Sequence, residues 1–137
     1  MKKLLRILMQ APANLPLSSR YIVGNGLFYM SFAVLTYAWP GMAQTIFQDP
    51  PFTAHEEPML RLVGMTLFVI GWLYFWSGRW GALNVVAASV LGRLAVPFAL
   101  APVILSGTLP HLLITFAVLD PLLAVGAWVL LAREPER

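Results

Sequence analysis

Cysteine is absent from this chain of 137 residues. Disulfides, thiol nucleophiles and thiolate-held metals or clusters are therefore excluded. Charge is nearly as scarce. Only 11% of the residues are charged, against about 25% in an ordinary soluble domain. So few charges cannot cover a water-facing surface. The net charge is +3, but the bases form no stripe and no aromatic-basic motif, so nucleic acid is not an expected partner. The sequence also lacks a glycine-rich phosphate loop, a GxSxG, an HExxH and a pair of inward carboxylates.

What it has instead is apolar length. Hydrophobic residues make up 59% of the chain. They fall into four runs, at about 20–39, 58–77, 81–106 and 109–132, each long enough to cross a bilayer as a helix. The expected fold is all-α, a single integral membrane domain over 1–137 built as a four-helix bundle. Pro40-Gly41 ends the first run, and Gly107-Thr108 makes a tight turn between the last two. Residues 1–19 precede the bundle. There Lys2, Lys3 and Arg6 alternate with Leu4, Leu5, Ile7 and Leu8, a pattern for a helix lying on a membrane surface. Ser18 or Ser19 is the expected N-cap of the first span.

The bases set an orientation. Lys2, Lys3, Arg6, Arg20, Arg79, Arg133 and Arg137 lie at the N-terminus, the turn between the second and third runs, and the tail. The other two connections contain no Lys or Arg. The positive-inside rule then puts both termini in the cytoplasm and the protein in the cell inner membrane. His55-Glu56-Glu57 lies in the long outer connection. Three adjacent residues do not share a helix face, so a solvated acidic loop is expected there and no metal site.

Each helix carries a surface that must meet another helix. Asn25, Tyr29, Phe32 and Thr36 form a partly polar stripe on the first. Gly64, Gly71 and Gly78 recur every seven residues on the second, and small residues let helix backbones approach in lipid. Arg61 shares that face, three residues before Gly64. Trp72, Tyr74, Trp76 and Trp80 read as an interfacial aromatic belt around Arg79. Pro97 and Pro102 interrupt the third span, and Ser89 precedes Arg93 by one turn. On the fourth, Ala117, Ala124 and Ala127 share a face with Asp120.

Arg93 and Asp120 are the outstanding residues. Each is a lone charge near the middle of its span. A charge at that depth costs roughly 2.5–3.5 kcal/mol on insertion scales, so such residues usually pair and often mark function. The short turn makes their helices antiparallel neighbours, and a salt bridge between them is the expected arrangement. Three roles remain open. The pair fixes helix register; or Arg93, helped by Arg61, holds an anionic or carbonyl group while Asp120 orients it; or Asp120 is an acid or base acting on a lipid-soluble substrate.

Three stretches, RLVGMTLFVIGWLYF at 61–75, LGR at 91–93 and LDP at 119–121, resemble the small bacterial four-helix membrane proteins grouped as DoxX-like. The resemblance implies a compact bundle with an internal pocket. The leading expectation is a membrane protein binding a small lipid-soluble or anionic ligand through Arg93, Asp120, Arg61, Ser89, Tyr29 and Asn25. The alternatives are an accessory or assembly subunit of a larger membrane complex, and an isomerase-like membrane enzyme acting on an apolar substrate. Beyond the bilayer and that ligand, the expected partners are a second membrane protein or further copies of the chain. The cofactor is left open.

Overall fold

In the computed structural model the described residues are 3, 6, 9, 10, 12–53 and 55–135. The surface helix expected over 1–10 falls mostly outside them. The described chain is all-α. Its helices are α1 (Leu17–Ala38), α2 (Pro40–Phe47), α3 (Glu56–Arg79), α4 (Leu83–Leu105) and α5 (Pro110–Ala132). All but α2 are long and apolar enough to cross a membrane. At about 1.5 Å per residue, 22 to 24 residues give roughly 33–36 Å, enough for a hydrocarbon core of about 30 Å. The protein is a multi-pass membrane four-helix bundle, with α2 as a short helix in the longest connection.

Local chemistry sets the helix ends. Pro40 and Pro110 open α2 and α5 at positions where a missing N–H costs nothing. Glu56 and Glu57 in the first turn of α3 and Arg79 in its last complement the helix dipole. Gly81 and Gly107 take positive φ, 69° and 80°, in the two tight turns. The N-terminus of α1 differs from expectation. Neither Ser18 nor Ser19 caps it, because the helix already begins at Leu17 and both serines are buried in its first turn. The Ser18 N–H instead donates to Glu134 Oε1 at 3.0 Å, which ties the end of α5 to the start of α1.

The bundle is two tight pairs. α1 packs most extensively on α3, and α4 on α5, while α3 and α4 touch little. The glycine repeat explains the first pair. A Cβ on Gly71 would stand 2.7 Å from the Gly26 carbonyl oxygen, and one on Gly78 would stand 2.6 Å from that of Ser19. Backbones this close exclude any side chain. The second pair closes through Ala124 and Ala127, both fully buried beside Val86 and Val90. α4 keeps its helical path through Pro97 and Pro102, with Pro102 on the exposed side. The stripe on α1 faces inward as its spacing predicts, with Asn25, Tyr29 and Thr36 buried.

At the end of the bundle carrying α2, Asp49 has a structural task. Its carboxylate accepts the backbone N–H groups of His111 and Leu112 at 2.8 and 3.1 Å, and so caps α5 from across the fold.

Candidate functional site

Arg93 and Asp120 face the bundle interior, at 2% and 6% exposure. They do not form a salt bridge; among the described residues Arg61 pairs with Glu57, and the His111 ring nitrogen lies 3.6 Å from Asp49. The expected pairing is corrected by a third helix. Tyr29 of α1 reaches the space beside them and its hydroxyl donates to Asp120 Oδ1. Arg93 lies instead over aromatic faces. Its guanidinium carbon is 4.6 Å from the centre of the Tyr74 ring and 5.3 Å from that of Tyr29. The two rings meet edge to face, 5.9 Å apart. Such contacts attract a cation through the ring quadrupole but give its N–H groups no acceptor. Nε, Nη1 and Nη2 of Arg93 are all without a hydrogen-bond partner among the described residues.

Arg93 lines a cavity of about 520 Å³ where the gap between α3 and α4 meets α5, though its three nitrogens have almost no exposed area of their own. Tyr29, Tyr74, Arg93 and Asp120 supply its polar lining. Apolar side chains, among them Leu67, Ile70, Val96, Leu100 and Phe116, supply most of the rest. A volume in the range of about 300–1,000 Å³, mostly apolar with a few convergent polar groups, is what small-molecule sites have. Chemically, the site combines a buried cation whose N–H groups lack hydrogen bonds among the described residues with a carboxylate already held by a tyrosine.

The other expected site residues are placed differently. Arg61 is not in the cavity. It donates to the Tyr37 carbonyl at 2.6 Å and pairs with Glu57 at 2.9 Å, one turn away on the same helix. Its long side chain turns toward the helix end, where charge is solvated at lower cost. Ser89 is buried beside Arg93 but donates to the Val86 carbonyl at 2.7 Å and does not line the cavity. Asn25 is buried, one turn from Tyr29 on α1, with its Nδ2 unpartnered among the described residues. It too lies outside the cavity lining.

Tyr74 is the residue that sequence reasoning assigned elsewhere. Trp72, Trp76 and Trp80 contact one another in series, the first pair edge to face and the second tilted, with Arg79 over the Trp76 ring at 5.8 Å. Tyr74 leaves that belt and turns inward. Its position between Gly71 and Gly78, at spacings of three and four, puts it on the glycine face and is the signal that identifies it. Among the described residues no group of three or more His, Cys, Asp and Glu side chains is arranged to hold a metal.

Compared with family models, with curated proteins and with solved structures, the chain matches none.

Proposed function

We propose that this protein holds a small lipid-soluble or anionic ligand in the cavity between α3, α4 and α5, with Arg93 as its anchor. One observation carries the proposal. A guanidinium almost fully shielded from solvent makes no well-formed hydrogen bond to the described residues from any of its three nitrogens, and its side chain lines a cavity of about 520 Å³. Buried polar groups are ordinarily hydrogen-bonded, and a buried charge left without partners is costly. A ligand bearing acceptor oxygens removes that cost. The rings of Tyr29 and Tyr74 lie against the guanidinium, and Tyr29 also holds Asp120.

The DoxX-like resemblance, the inner-membrane location and the cytoplasmic termini belong to the same proposal. The crowding of bases at one end of the bundle supports the orientation. The test of the function is solvent extraction of protein purified from its own membrane. Wild type yields a stoichiometric small molecule, identified by mass, and an equally folded Arg93→Leu variant yields none. Equal yields from both, or nothing from either, contradict the proposal.

A further inference from the structure

The cavity has polarity along the membrane normal. The Arg93 guanidinium meets the rings of Tyr74 and Tyr29, Tyr29 bonds Asp120, and from Tyr74, Arg93 and Asp120 the apolar lining continues along α3, α4 and α5. Leu67 and Ile70 lie seven and four residues before Tyr74, Val96 and Leu100 three and seven after Arg93, and Leu113 and Phe116 seven and four before Asp120. Because α4 runs opposite to α3 and α5, all six lie toward the same end, the one carrying α2 and the Gly107 turn. At about 1.5 Å per residue the apolar shaft extends roughly 10 Å beyond the polar floor. Its side is open where α3 and α4 part, and the lining residues Val63, Leu73 and Gly92 are exposed there.

Resting on the function proposed above, we infer that the ligand is a single-chain carboxylic acid. It reaches the cavity sideways from the lipid between α3 and α4, with its carboxylate on Arg93 and its chain in the shaft. Arg93 selects the head group. With its side chain turned toward the cavity, the guanidinium's unpartnered N–H groups match two carboxylate oxygens in a fork, where a lone hydroxyl or carbonyl oxygen leaves donors unmet. Charge balance sets how it arrives. Arg93 and Asp120 already give the cavity one charge of each sign, and an added anion would upset that balance in a medium that solvates ions poorly. The acid crosses the lipid in its neutral form. On binding its O–H bond breaks, the proton passes to the Asp120 carboxylate, and the new carboxylate takes Arg93. The net charge of the cavity is unchanged.

The test is binding of decanoate, decanol and decyltrimethylammonium to the full chain in a neutral detergent, followed by calorimetry. Decanoate binds at least tenfold more tightly than the other two. Arg93→Leu lowers decanoate affinity at least tenfold, Arg93→Lys keeps part of it, and Leu100→Trp weakens it by filling the shaft. Circular dichroism melting confirms that each variant is folded. Decanol binding as well as decanoate to wild type, or an Arg93→Leu variant that retains decanoate, overturns the assignment. If a neutral molecule is extracted with wild type and lost with Arg93→Leu, the general function stands and the carboxylic acid falls. If no molecule is extracted and no probe binds, both fall.

Discussion

A guanidinium at mid-membrane needs acceptors, and Arg93 has aromatic faces instead. That makes its removal unusual in direction. Breaking a buried ion pair ordinarily costs about 3–5 kcal/mol, whereas replacing a whole buried pair by apolar groups is often neutral or stabilising by about 1–4 kcal/mol. Among the described residues Arg93 makes no ion pair, and Asp120 keeps its bond from Tyr29 when Arg93 is removed. Ligand-free Arg93→Leu should therefore melt no lower than wild type, by circular dichroism in detergent. A large loss of stability would point to a protein partner for Arg93. Tyr29→Phe removes the donor to Asp120 and should cost about 1.5–3 kcal/mol, as for a hydrogen bond to a charged group. In double-mutant cycles Tyr29 and Asp120 should couple more strongly than Arg93 and Asp120, and the reverse order would restore the salt bridge. At this scale the sequence makes the two charges visible, and their depth as well. It does not specify their contact. Two residues at one level on neighbouring helices are joined or parted by side-chain direction, and here Tyr29 of a third helix takes the acceptor first.

Between helices, closeness is decided by what glycine leaves out. Gly71 faces the Gly26 carbonyl, so Gly71→Ala should lower stability by about 1–3 kcal/mol as the backbones are forced apart. Gly24, on the same pair of helices, has open space where its Cβ would be. There Gly24→Ala should gain about 0.5–1 kcal/mol from helix entropy alone. Opposite signs in detergent melts are the check. The seven-residue glycine repeat is legible because a period is a local property of the chain. The Asp49 cap is not, since Asp49 and the N–H groups it accepts are more than sixty residues apart. Asp49→Ala should destabilise by about 0.5–2 kcal/mol, with Asp49→Asn less affected. Hydrogen exchange should locate the loss in the first turn of α5.

Across the whole molecule, four apolar runs announce four spans, and the assigned helices match them to within a few residues. Order along the chain hides the pairing. α3 and α4 are joined by a tight turn yet touch little, while α1 and α3, separated by α2, pack most closely. The cavity lies in the gap this leaves, which is why no single stretch of sequence reveals it. The absence of native cysteine makes the orientation simple to measure. Thr53→Cys should react with an impermeant maleimide from outside intact cells, and Arg133→Cys only after the membrane is opened; the opposite pattern would invert the topology. The central claim is that the cavity beside Arg93 is a binding site, and native mass spectrometry of gently solubilised protein tests it most directly. Wild type should carry one added small-molecule mass that Arg93→Leu lacks. A bare wild-type chain, or the same added mass on both, would contradict it.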